Sequence, residues 1–139
     1  MTRALARILL LAFVAVAACT STTAPPAGAE SSPAALAATV TVADAAVLRD
    51  GGAFVLDVRE PSEWAEGHIP GAVLIPLGEL GSRLAEVPRD RQVVVVCRSG
   101  NRSAQGRDIL LGAGFPAVTS LAGGMNDWAS AGLPIDTGG

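Results

Sequence analysis

The chain has 139 residues, half of them hydrophobic, with 10 basic and 13 acidic side chains and a formal net charge of −3. That length holds one core of ordinary size plus a short appendage, and the acidic balance argues against a nucleic-acid partner. All ten cations are arginine, so no lysine is present to form a Schiff base. Two cysteines and one histidine provide neither a disulfide framework nor a zinc site, and no metal or cofactor is expected.

At the amino end, Arg3 and Arg7 precede an apolar run from Ile8 to Ala18. Its eleven residues are too few for a bilayer core, which needs about 20, so residues 1 to 18 read as a secretory signal. Val16-Ala17-Ala18-Cys19 resembles the lipobox of bacterial lipoproteins. The resemblance implies that Cys19 is acylated as the new amino terminus and anchors the protein to the outside of the bacterial cell membrane. The alternative is ordinary signal-peptidase cleavage, with Cys19 a bystander. Residues 19 to 38 are rich in Thr, Ser, Pro and Ala and cannot bury enough apolar surface to fold, so they are expected to form a flexible tether.

The folded domain is expected over residues 39 to 139. Thr39 to Thr41 suits a short first strand, after which Thr41 can cap a helix from Val42 to Arg49, with Asp44 supporting its start and Gly51-Gly52 ending it. Ala53 to Val58 reads as a strand apolar on both faces. Pro61 then opens a short helix through Ala65, with Glu63 in its first turn. A third strand is expected at Ala72 to Ile75 and a helix near Glu79 to Val87. Four valines, Val93 to Val96, form a strand buried on both faces, as in a parallel sheet. A helix from Ser103 follows, then Gly112-Ala113-Gly114 as its stop, a last strand at Phe115 to Leu121, and a Gly123-Gly124 turn into a short helix whose Met125 and Trp128 pack in the core. Strands alternating with helices imply an α/β fold, a doubly wound, mostly parallel five-stranded sheet with helices on both faces.

Between the valine strand and its helix lies Cys97-Arg98-Ser99-Gly100-Asn101-Arg102-Ser103. A loop joining the carboxyl end of a buried strand to a helix gathers unpaired backbone N–H groups and the positive end of the helix dipole around one point. The Cys97 sulfur is expected at that point, with Arg98 and Arg102 adding positive charge and Gly100 letting the backbone bend toward it. Such a field favours the thiolate and makes the sulfur a nucleophile at neutral pH. A cysteine ending a valine run is otherwise inert core packing, but the arginines and serines that follow argue for chemistry.

This loop resembles the active-site loop of single-domain rhodaneses, the sulfurtransferases. Two further signatures stand in the family's order: Asp57-Val58-Arg59-Glu60-Pro61 through Glu63 to Gly67-His68-Ile69-Pro70-Gly71-Ala72, and Gly123-Gly124-Met125-Asn126-Asp127-Trp128. The resemblance implies a two-step transfer in which Cys97 takes the outer sulfur of a donor such as thiosulfate as a persulfide and passes it to cyanide or a thiol. It also implies that Arg98, Ser99, Gly100, Asn101, Arg102 and Ser103 cradle the substrate and persulfide. Asp57 and Arg59 read mainly as scaffolding for the active-site rim, the arginine held by Glu60 or Glu63. His68 reads as a residue tying down a Pro/Gly-rich loop, because a preformed thiolate requires no base. Phosphatase relatives carry five residues between Cys and Arg, whereas Cys97 and Arg102 are separated by four, a ring better matched to one sulfur atom. The implied partners are small sulfur-containing anions, a thiol or cyanide acceptor and the membrane. The alternative is a non-catalytic binding module, or a redox sensor or persulfide carrier that depends on an external thiol reductant.

Overall fold

The computed structural model describes residues 33–139. The expected signal segment and Cys19 lie outside the described residues, as does most of the expected tether. Five strands, β1 (Thr39–Val40), β2 (Phe54–Asp57), β3 (Val73–Leu74), β4 (Val93–Val96) and β5 (Val118–Leu121), form one sheet in the order β1-β5-β4-β2-β3, with every neighbouring pair parallel. The helices are α1 (Val42–Asp50), α2 (Pro61–Glu66), α3 (Leu77–Leu80), α4 (Asn101–Gly112) and α5 (Gly124–Ser130).

The valine run of β4 explains why the sheet is covered on both sides. Side chains alternate along a strand: Val93, Val95 and then Cys97 join Leu80 of α3 and Leu110 of α4 in one cluster, while Val94 and Val96 join Ala45 of α1 and Met125 and Trp128 of α5 in another. Each of the four valines is at most 1% exposed. β4 is the central strand, and the chain leaves it toward β5 on one side after arriving from β3 on the other. That reversal leaves a crevice at the carboxyl ends of the strands, where open α/β sheets bind ligands.

Local chemistry sets the ends of the elements. In α1, Thr41 and Asp44 form a reciprocal capping box. α2 begins at Pro61, with Glu63 reaching back to the Glu60 N–H. The helix expected over Glu79 to Val87 is instead two pieces, α3 and a 3-10 turn at Leu84–Glu86. Gly78 and Gly81 weaken helix propagation there, and Pro88 holds Val87 extended. Arg83 bridges the pieces by pairing with Glu79 and Glu86. α4 starts at Asn101, two residues before the expected Ser103, and runs through Gly112. The last strand is shorter than expected, starting at Val118 rather than Phe115.

The chain enters the sheet at the edge opposite the Cys97 loop. Gln92, just before β4, donates to the Ala34 carbonyl, and β1 runs parallel to β5 from Thr39. Residues 33 to 38 therefore lie toward the amino ends of the strands.

Candidate active site

Cys97 follows the last valine of β4 and is itself 1% exposed. The chain then turns through Arg98, Ser99 and Gly100 into α4. Gly100 sits at φ 103°, a backbone state that L side chains resist, and this lets its N–H face back to the sulfur. That N–H donates to Cys97 Sγ at 3.1 Å, and Ser103 Oγ, one turn into α4, lies 3.6 Å from the same sulfur. Burial pushes the Cys97 thiol up, but hydrogen bonding from the Ser103 hydroxyl and from the N–H groups of Ser103, Gly100 and Ser99 outweighs it and brings the thiol below its ordinary value. The sulfur is cupped as the loop sequence predicts, with the Gly100 N–H as its short backbone contact and a side-chain hydroxyl completing the set.

The loop is held from outside by α5. Met125 and Asn126, at the start of that helix, donate their N–H groups to the carbonyls of Cys97 and Arg98 at 2.8 and 3.1 Å. This contact needs a glycine at 124. With φ at 58°, a side chain there would be strained, and a Cβ would collide with the Cys97 carbonyl oxygen. Trp128 anchors the same helix in the core and donates from Nε1 to the Pro134 carbonyl at 2.9 Å.

The charged residues sort into two pairs. Arg59, buried at the end of β2, is gripped by both carboxylate oxygens of Asp57 at 2.7 to 3.0 Å and donates to the carbonyls of Glu63 and Gly67. Asp57 also accepts the Arg59 N–H, closing the turn after β2. The side-chain partner of Arg59 is thus Asp57, not Glu60 or Glu63. The carboxylate of Glu63 takes Arg102 instead, through two parallel bonds of 2.7 Å. That bond to Arg102, aided by the Glu60 N–H and against partial burial, holds the Glu63 carboxyl at about 2. Arg102 is raised in turn by Glu63 and, to a lesser extent, by the nearby Cys97 sulfur. The Arg102 guanidinium, expected to attract a donor, is therefore already neutralised.

His68 lies off the loop. Its ring stacks on Trp64 at 3.6 Å between centroids, its Nδ1 is 3.1 Å from the Trp64 carbonyl, and its backbone forms a two-bond bridge with Asp136. It ties the segment after α2 to the carboxyl-terminal tail. Arg98, Ser99 and Asn101 are exposed on the rim. Beside them opens a cleft of about 370 Å³ lined by Arg98, Arg59, Glu63, Met125, Asn126 and Ile135. Four residues take partners that the sequence did not assign to them: Glu63, Met125, Asn126 and Ser120. Glu63 is 39 residues from Arg102, and no local pattern links the two. The Met125 and Asn126 N–H groups act through the backbone, which leaves no compositional trace. Ser120, whose Oγ is 2.8 Å from Ser103 Oγ, had one available signal, shared with Thr119: a polar side chain within the buried strand β5.

A parallel α/β layer with a hydrogen-bonded cysteine at the carboxyl end of its central strand defines a class of thiolate-centred domain. Within that class, the chain belongs to the rhodanese-like domain family, whose model matches residues 41–131. It is 44% identical over 82 residues to a sulfurtransferase of Allochromatium vinosum, covering 59% of this chain and 77% of that protein. It is 39% identical over 90 residues to the thiosulfate sulfurtransferase GlpE of Pseudomonas aeruginosa, covering 65% and 81%. The crystal structure of a rhodanese-related protein from Thermoplasma volcanium superposes with a TM-score of 0.67 at 32% identity, over 72% of this chain and 98% of that one. Among longer relatives the chain spans less than half of the length. Sulfur transfer is thus the chemistry that the family and its named members support for this chain.

Proposed function

We propose that the domain moves a sulfane sulfur from an anionic donor such as thiosulfate to cyanide or a thiol through a persulfide on Cys97. The observation that carries this reading is the Cys97 sulfur at the carboxyl end of β4, 3.1 Å from the Gly100 N–H and 3.6 Å from Ser103 Oγ. The Cys97 thiolate attacks the outer sulfur of thiosulfate, the S–S bond of the donor breaks, and sulfite leaves with the bonding pair. Cys97 then carries a persulfide anion of the same charge as the thiolate it replaces. Cyanide attacks the terminal sulfur, leaves as thiocyanate and restores the thiolate. Both anionic states draw on one set of donors, so little reorganisation separates them.

Arg98 is the cation of the loop with no side-chain partner among the described residues, and it borders the cleft. It supplies the attraction for an anionic donor, while Arg102 positions α4 against α2 through Glu63. Ser99 and Asn101 contribute backbone at the rim; Asp57, Arg59 and His68 hold the surrounding segments. The domain is carried outside the bacterial cell on a lipid-anchored Cys19 and the tether of residues 19 to 38.

The test is mass spectrometry of the Cys97 peptide after exposure to thiosulfate without acceptor. One added sulfur atom on Cys97 is expected, lost again on adding cyanide. An unmodified peptide, or thiocyanate formation that survives Cys97→Ser, overturns the proposal. Metabolic labelling with a fatty acid tests the anchor separately, and a Cys19→Ser chain that still takes up label rules out the assigned site.

A further inference from the structure

Behind the sulfur lies a second, fully enclosed hydroxyl. Ser103 is 0% exposed and Ser120, on β5, is 2% exposed, with their oxygens 2.8 Å apart. Ser103 Oγ has three polar neighbours, the Gly100 carbonyl at 2.9 Å, Ser120 Oγ at 2.8 Å and Cys97 Sγ at 3.6 Å, and one hydrogen to give. Ser120 Oγ has Ser103 as its side-chain partner among the described residues. Thiol and thiolate require different arrangements of these hydrogens. With Cys97 as a thiol, its S–H can donate to Ser103 Oγ while Ser103 donates to the Gly100 carbonyl. Once the thiol proton has gone to solvent, the sulfur can only accept. Ser103 must then turn its hydrogen from Gly100 to the sulfur, and its oxygen has lost the S–H donor.

We propose that Ser120 is a positioning residue for sulfur transfer: its hydroxyl donates to Ser103 Oγ in the thiolate and persulfide states and holds the Ser103 hydrogen on the sulfur. The inference rests on Cys97 being the nucleophile. It assigns a role in the chemistry to a strand residue that never touches substrate. Its effect is conveyed through Ser103 alone, so the two hydroxyls form one chain in which each bond polarises the next. A buried hydroxyl left without its partner is a cost to the fold, and the 2.8 Å contact with Ser103 supplies that partner for Ser120.

The test is the pH dependence of Cys97 alkylation in the full chain, read by peptide-resolved mass spectrometry to separate Cys97 from Cys19. Four proteins are compared: wild type, Ser120→Ala, Ser103→Ala and the double variant. Ser120→Ala is expected to move the acid limb of the profile upward and lower the rate on that limb by roughly three- to ten-fold, the size of one neutral hydrogen bond. In the Ser103→Ala background the same substitution is expected to leave the profile where it was, because its route to the sulfur is gone. An unmoved limb in Ser120→Ala with unchanged or merely lowered thermal stability overturns the inference, as do additive shifts in the double variant. A wild-type Cys97 that ionises like a free thiol instead overturns the nucleophile reading itself, so the two failures are distinguishable.

Discussion

The ends of β2 and β4 lie side by side, and they use charge in opposite ways. The end of β2 carries Asp57 and Arg59, a fully formed ion pair buried to 1 and 4% exposure, with the remaining guanidinium N–H groups directed to carbonyls. The end of β4 carries the Cys97 sulfur, buried among neutral groups of Gly100 and Ser103, with Arg98 exposed beside it. A charge with its partner built in is a structural brace. A charge held by dipoles, with the nearby Arg102 committed to Glu63, stays available to react, because attack requires no ion pair to be broken. Density of arginine and carboxylate is therefore a poor guide to the reactive point here. Arg59 and Arg102 brace the site, and among the described residues no cation is bonded to the Cys97 sulfur.

Breaking the brace has the largest expected effect on stability. Asp57→Ala leaves Arg59 buried without its anion and should destabilise the domain by about 3–5 kcal/mol in urea unfolding. A loss below about 1 kcal/mol would show that Arg59 finds water or another partner and that the pair is no brace. Gly124→Ala comes next. The added methyl collides with the Cys97 carbonyl and forces α5 off the loop, so destabilisation of about 1–3 kcal/mol and a greater proportional loss of turnover are expected. Turnover equal to wild type would mean that α5 does not hold the sulfur in place.

The Glu63–Arg102 pair sharpens the contrast through pH. The Glu63 carboxyl falls from 4.5 to about 2 on folding. Its contribution to stability is thus fully present above pH 4.5 and is lost as the pH drops toward 2. Between those two values the melting temperature of wild type should fall more steeply than that of Glu63→Gln, which has no such proton to bind. Parallel curves would place the pair's worth near zero. The smallest effect is expected at the rim, where Arg98→Ala should raise the KM for thiosulfate several-fold and leave it little changed for a neutral sulfur donor, with kcat nearly unaffected. An equal rise for both donors would remove Arg98 from anion recognition.

The same contrast explains what could be read from the sequence. The order of strands and helices, the buried β4 and the position of Cys97 were legible because they depend on local pattern: four valines, a loop with a glycine, a helix beyond. The cap of α1 by Thr41 and Asp44 was legible for the same reason. The division of the helix expected at Glu79 to Val87 was not, since its charged and apolar residues suit a helix and the opposing effects of Gly78, Gly81 and Pro88 are individually small. The assignment of partners was least legible. Arg59 could have paired with three nearby carboxylates, and only the turn after β2 selects Asp57. Arg102 meets Glu63 because β2 and β4 are neighbours, which is a property of the sheet order rather than of either segment. Ser120 reaches Ser103 by the same adjacency of β5 and α4, and a single serine in a strand does not announce a partner.

The most direct measurement is the ionisation of Cys97 in the intact protein, followed as its alkylation rate against pH with the Cys97 peptide resolved from that of Cys19. The hydrogen bonds of Gly100 and Ser103 predict a midpoint below that of an unperturbed cysteine thiol. A midpoint at or above that of an unperturbed cysteine thiol would mean that burial wins over those donors, and the neutral cradle would then not activate this sulfur.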